Sequence, residues 1–199
     1  MRLGILGGTF DPVHRGHLAL ARAAREELGL EKVVFMPAGR PWRKAGRIIA
    51  SGEDRLAMLR QALEGEQAFE VGMVELERPG PSYTADTLEA LREERPDDEL
   101  VFIVGEDALT DLPNWRRPER ILELAKLAVA RRANTSPEAL EEAKRRLPGL
   151  PGRAVRLKMP LLAVSATEIR ERARQGLSLE EVVPAAVAEY IREHRLYRE

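Results

Sequence analysis

The chain has 199 residues, 44% of them hydrophobic and 33% charged, a mixture that can bury one substantial core. Lys plus Arg is 32 and Asp plus Glu is 33, a formal net charge of −1 that argues against nonspecific nucleic-acid or membrane-surface binding. With no cysteine and only three histidines (His14, His17 and His194), thiol catalysis, disulfides and Cys-ligated metals are excluded, and little remains for a His-rich metal cage. No apolar run approaches the ~18 residues of a membrane span. The N-terminus lacks a signal peptide's apolar region and cleavage site, so the cytoplasm is the expected compartment.

Apolar runs and helical patterns then alternate along the chain. Arg2–Leu6 is a short strand ending at Gly7-Gly8. Gly16–Leu28 has helical composition and stops at Gly29. Lys32–Met36 reads as a buried strand. Ser51–Leu63 is a helix with Ser51 as N-cap and Asp54 three residues on. Phe69–Leu76 alternates apolar and polar residues like a strand. Thr84–Arg95 is a helix stopped by Pro96. Leu100–Val104 is the strongest buried strand and again ends at a glycine, Gly105. Leu127–Ala130 is a strand, Pro137–Leu147 a helix, Leu147–Gly152 a rigid turn and Val155–Met159 a last strand. Thr167–Gln175 and Pro184–His194 are helices. Arg40–Gly46 and Arg78–Ser82 are expected to be mobile loops.

This alternation predicts an α/β fold: a Rossmann-like, doubly wound parallel sheet with helices on both faces. The expected organisation is a single domain over 1–199, with about 167–199 as a small helical C-terminal lobe on the sheet. In such sheets ligands bind beyond the C-terminal strand ends, where the winding reverses. Gly7-Gly8 and Gly105 are therefore expected to face one crevice.

Two segments read as anion sites. In Gly7-Gly8-Thr9-Phe10-Asp11-Pro12-Val13-His14-Arg15-Gly16-His17, a strand ends, glycines admit close approach of a ligand, and a helix begins. Helix N-terminal N–H groups stabilise an anion. His14 and His17, three apart, can point the same way and donate to phosphate oxygens. The segment is neither a dinucleotide fingerprint nor a Walker A loop. In Val164-Ser165-Ala166-Thr167-Glu168-Ile169-Arg170, hydroxyl caps and an arginine one turn in make a second anion site, although an ordinary capped helix has the same pattern.

The first segment resembles the nucleotidyltransferases with the H-x-G-H signature, standing here as His14-Arg15-Gly16-His17. Ser165, Thr167 and Arg170 resemble that superfamily's segment that grips the ATP phosphates. Gly80-Pro81-Ser82-Tyr83-Thr84-Ala85-Asp86-Thr87-Leu88, Gly105-Glu106-Asp107 and Leu112-Pro113-Asn114-Trp115 further resemble the nicotinate-nucleotide adenylyltransferases, in that family's order and spacing.

The resemblance implies transfer of AMP from ATP to nicotinate mononucleotide, with pyrophosphate released, in NAD synthesis. His17, His14 and Arg170 would be catalytic. Gly7, Gly8, Thr9, Phe10, His14, His17, Gly105, Asp107, Ser165, Thr167 and Arg170 would bind ATP, and Lys44, Thr84 and Trp115 the nicotinate mononucleotide. An indole face suits a flat, electron-poor ring and Thr84 offers donors to a carboxylate, though, standing alone, core packing is the better reading of Trp115 and helix capping that of Thr84. Pro41-Trp42-Arg43-Lys44 departs from the family's Pro-Pro-His-Lys at Trp42 and Arg43, for which a solvated basic loop is an equal reading. Mg²⁺ is expected on the ATP phosphates, without protein ligands. Neither nucleic acid nor membrane is an expected partner, and no surface stripe specifies an oligomeric state.

Overall fold

The computed structural model of the chain describes residues 1–40, 50–131, 135–160 and 164–198. In chain order the elements are β1 (Arg2–Gly8), α1 (Arg15–Leu28), β2 (Lys32–Pro37), α2 (Gly52–Ala62), β3 (Phe69–Val71), α3 (Val74–Glu77), α4 (Thr84–Glu94), β4 (Glu99–Gly105) and α5 (Glu106–Asp111). A 3-10 turn at Leu112–Asn114 follows. Then come α6 (Pro118–Leu124), β5 (Ala125–Ala130), α7 (Pro137–Arg146), α8 (Leu150–Arg153), β6 (Ala154–Arg156), α9 (Ala166–Arg174) and α10 (Ala185–Glu193).

The six strands form one sheet in the order β3-β2-β1-β4-β5-β6, and every neighbouring pair is parallel. Winding runs outward from β1 to β3, then returns to place β4 against the other side of β1. The boundary between β1 and β4 is thus the switch point where a crevice opens beyond the strand ends. Gly7-Gly8 and Gly105 end these two strands, as the sequence predicts.

Period-two alternation divides the core into two layers. Leu3 and Ile5 of β1 with Leu100, Phe102 and Val104 of β4 face α4 through Ala85, Leu88 and Leu91. Leu6 with Val101 and Ile103 faces the opposite way, toward Leu18 and Ala21 of α1 and Met58 and Leu59 of α2. Ile169 and Ala173 of α9 and Val187 and Ile191 of α10 belong to this second layer, so the C-terminal helices pack into the same core as the strands.

Local signals set several boundaries. Gly29 closes α1 in the left-handed conformation (φ 60°). The Ser51 side chain accepts from the Asp54 N–H at 3.0 Å and so caps α2. The strand expected over Phe69–Leu76 is shorter: it ends at Val71, and Val74–Glu77 turns into α3. At Gly72 the chain passes so close to β2 that a Cβ would lie 2.5 Å from the Met36 Cε and 2.8 Å from Val34. Only glycine fits there, and beyond it the chain turns so that Glu75 lies buried. The last strand likewise stops at Arg156 rather than Met159, and the Leu147–Gly152 turn includes the start of α8. Short α5 and α6 lie in a stretch for which the sequence pattern predicts no helix.

One buried cation ties the loops around β1. Arg55 of α2 is 1% exposed. It donates to the carbonyls of Thr9 at 2.9 Å, Ala38 at 2.7 Å and Ala50 at 3.2 Å. Burial lowers the Arg55 pKa, and the neighbouring Asp11 carboxylate opposes that shift. The chain leaving β2 and the chain entering α2 are thereby fixed against the loop that follows β1.

Candidate active site

The β1–α1 connection is built around two histidines. His14 is the N-cap of α1 and His17 its third residue, and the two form a reciprocal capping box. Their rings stack with centroids 3.6 Å apart and planes 21° apart. The His14 backbone N–H donates to His17 Nδ1 at 3.2 Å. An Nδ1 that accepts leaves the proton of the neutral ring on Nε2, so His17 presents an Nε2–H donor. Phe10 steadies the ring from below: it is 1% exposed and meets His17 edge-on at 4.9 Å. The Phe10 ring lies under Gly8, where a Cβ would come within 3.1 Å of it. Gly16 is required in the same way, because a Cβ there would stand 2.9 Å from His14 Nδ1.

Beyond β1 and β4 lies a cavity of about 380 Å³. Gly7, Gly8, Thr9 and His17 line one wall, Gly105 and Asp107 another, and Ser82, Tyr83, Thr84, Thr87, Trp115 and Arg116 the far end. Most residues that the sequence places in one site therefore meet here. Thr84 is the first residue of α4 rather than its cap, which is Tyr83, so its N–H lacks an intrahelical partner. Trp115 is oriented by its Nε1–H, which donates to Asp111 Oδ2 at 3.0 Å, and by edge contact with Phe102 at 6.2 Å. Lys44, Trp42 and Arg43 lie outside the described residues. The chain just before that segment is near the cavity: Ala38 lines it, and Gly39 N–H donates to Ser82 Oγ at 2.9 Å.

The second anion motif approaches from the opposite side. Ser165 caps α9 by accepting from Glu168 N–H at 3.2 Å. Arg170 donates from one Nη to Thr167 Oγ1 at 3.3 Å and from the other to the Asp11 carbonyl at 2.7 Å. A Cβ on Gly16 would also come within 3.7 Å of Val164, so the two motifs adjoin. Ser165, Thr167 and Arg170 do not line the large cavity. Arg170 lies against the loop that carries the histidines, and a smaller cleft beside that pair is lined by His14, Gly16, His17, Arg131 and Met159. Among the described residues no group of three or more His, Asp or Glu side chains could hold a metal ion, and no helix is long and apolar enough to cross a membrane.

Sequence reasoning missed four polar residues that hold these parts in place. Asp11 and Arg55 lie beneath the β1 loop, Tyr197 comes from the C-terminal end, and Glu75 lies under the far end of the cavity. Glu75 is 8% exposed, lines the cavity and accepts from Thr87 Oγ1 at 2.8 Å. Burial pushes the Glu75 carboxyl above its ordinary range, while Thr87, Ser82 and Arg78 pull in the opposite direction. The alternation of VGMVELE that suggests a strand hides this inward carboxyl.

The family is decided by comparison with known proteins. The cytidylyltransferase-like family model matches residues 5–172. A Thermomicrobium roseum protein described as "Probable nicotinate-nucleotide adenylyltransferase" is 48% identical over 197 residues, covering 99% of this chain and 92% of its own. The chain belongs to the nicotinate-nucleotide adenylyltransferase family. A Desulfitobacterium hafniense member with the same description is 43% identical, covering 99% of this chain and 96% of its own. The fold is similar to that of Plasmodium falciparum nicotinic acid mononucleotide adenylyltransferase complexed with NaAD, with a TM-score of 0.79 and 17% identity over 98% of this chain and 97% of that one.

The raised Glu75 pKa has a signed consequence for this adenylyltransferase fold. An acid that holds its proton more tightly when folded loses stability as pH climbs from its unfolded value, near 4.5, through its folded value. Glu75→Gln keeps the acceptor for Thr87 and removes the ionisation. Its stability relative to the parent should therefore rise between pH 5 and pH 8 in urea titrations; a difference that stays flat with pH contradicts the assignment.

Proposed function

We propose that this cavity transfers the adenylyl group of ATP to nicotinate mononucleotide, giving nicotinate adenine dinucleotide and pyrophosphate. The observation that carries the proposal is the pinned His17 ring, which lines the switch-point cavity. A phosphate oxygen of the acceptor attacks the α-phosphorus in line. The new bond is Pα–O to the acceptor; the bond that breaks is Pα–O to pyrophosphate, which departs with the electron pair. The acceptor phosphate is already anionic at neutral pH, so no general base and no covalent enzyme intermediate are required. Catalysis then consists of positioning and charge stabilisation.

His17 donates to a non-bridging α-phosphate oxygen as charge builds there, and His14 holds neighbouring ATP phosphates. Ser165, Thr167 and Arg170 take the β- and γ-phosphates and steady the leaving pyrophosphate. Gly7, Gly8 and Thr9 form the channel between the nucleotides, with Phe10 supporting it from beneath. Gly105 and Asp107 line the nucleotide side, where Asp107 can accept from a ribose hydroxyl. Trp115 stacks on the pyridine ring, and Thr84, with its N–H at the start of α4, meets the carboxylate. Lys44 is assigned to the acceptor phosphate. Mg²⁺ would come with ATP, and no residue of this chain is assigned to hold it. When bound there it neutralises polyphosphate charge.

His17→Ala should lower turnover by a factor on the order of 10²–10³, a typical loss for one donor to developing charge, while leaving the fold intact. Near-normal pyrophosphate release by that variant contradicts the role. Trp115→Ala should raise KM for the pyridine nucleotide by about threefold to tenfold and leave KM for ATP nearly unchanged; equal rises for both substrates contradict stacking. A panel of ATP with nicotinate mononucleotide, nicotinamide mononucleotide and phosphopantetheine identifies the acceptor directly.

A further inference from the structure

Asp11 belongs to the histidine loop and faces Arg170 of the second anion motif, and its carboxylate is 1% exposed. Oδ1 accepts from the Tyr197 hydroxyl at 2.7 Å and from Ala50 N–H at 3.0 Å. Oδ2 makes no hydrogen bond among the described residues and lies 3.8 Å from Nη1 of Arg170. That nitrogen donates instead to the Asp11 backbone carbonyl at 2.7 Å. A carboxylate beside a guanidinium ordinarily closes to a short, charge-assisted contact. Here the carboxylate is held by its other oxygen, and the ion pair stays long, without a hydrogen bond.

The residue that holds it comes from the far end of the chain, 186 positions away. Leu196 and Tyr197 pack against the core layer that contains α1 and α2, and Leu196 N–H bonds the Ile191 carbonyl at 3.0 Å. Burial, reinforced by the Asp11 charge, raises the Tyr197 pKa, so the phenol remains a donor at neutral pH. Ala50, the other donor, is fixed from its carbonyl side by buried Arg55.

We propose that Tyr197 is a positioning residue for ATP: its hydroxyl withholds the Asp11 carboxylate from Arg170 and so keeps that guanidinium available to the nucleotide's polyphosphate. Without the hydroxyl, Asp11 closes on Arg170 and competes with the β- and γ-phosphates for the same donors. The inference rests on the assignment of Arg170 to those phosphates. It adds that the C-terminal segment is part of the ATP site, although it touches no substrate.

The test is a double-mutant cycle read by calorimetric ATP binding in the absence of acceptor. Tyr197→Phe should weaken ATP about tenfold where Arg170 is present and change it less than about twofold in an Arg170→Ala background, because coupled residues are non-additive. Tyr197→Phe combined with Asp11→Asn should restore most of the lost affinity, since an amide carries no charge to compete with phosphate. A merely structural role would not give that rescue. Equal losses in both backgrounds, no loss, or a lower melting temperature with unchanged ATP affinity overturns the proposal. Wild-type protein that binds ATP but releases no pyrophosphate with any acceptor strikes the functional reading and leaves the cycle standing. Failure of the wild type to bind ATP overturns both.

Discussion

The hydrogen bond from the His14 backbone to His17 Nδ1 is the contact on which the proposed chemistry depends. An imidazole has two chemically different nitrogens, and a neutral ring can donate from only one. Occupying Nδ1 with a backbone donor fixes both the orientation of the ring and the nitrogen that carries the proton. The stack on His14 and the edge contact from Phe10 remove the remaining freedom. The ring is therefore oriented before any nucleotide arrives, which suits a reaction that requires stabilised charge and no activated nucleophile.

That contact exists only because the surrounding fold is rigid. The loop after β1 begins at the switch point of a parallel sheet, where the two neighbouring strands diverge into helices on opposite faces. Its backbone is not held by a ladder, so side chains hold it. Arg55 bonds the Thr9 carbonyl from below, and Arg170 bonds the Asp11 carbonyl from α9. Ala50 and Tyr197 donate to the Asp11 carboxylate. The far end of the cavity is organised by a parallel device, in which Glu75 joins Thr87 of α4 to the turn after β3.

Much of this was legible in the residues because much of it is local. β1 and β4 are continuous apolar runs ending in glycine, and buried parallel strands show that pattern. Gly29, Ser51 and Ser165 act within three or four residues of themselves, so their capping roles can be read without a structure. His14 and His17 sit one helical turn apart and could be paired on spacing alone. The features that escaped depend on distant contacts. The requirement for glycine at position 72 comes from the Met36 and Val34 side chains of another strand. Tyr83 rather than Thr84 caps α4. Phe10, within a ligand-binding motif, turns its ring into the core. Nothing near Tyr197 in the chain points to Asp11.

The central claim concerns a single proton. Nitrogen-15 NMR of the ring nitrogens, with His17 assigned by comparison with a His17→Ala sample, reports at neutral pH which nitrogen is protonated. The account predicts a protonated Nε2 and an unprotonated, hydrogen-bonded Nδ1 in the free protein. A proton on Nδ1, or an equal mixture of the two forms, would contradict it.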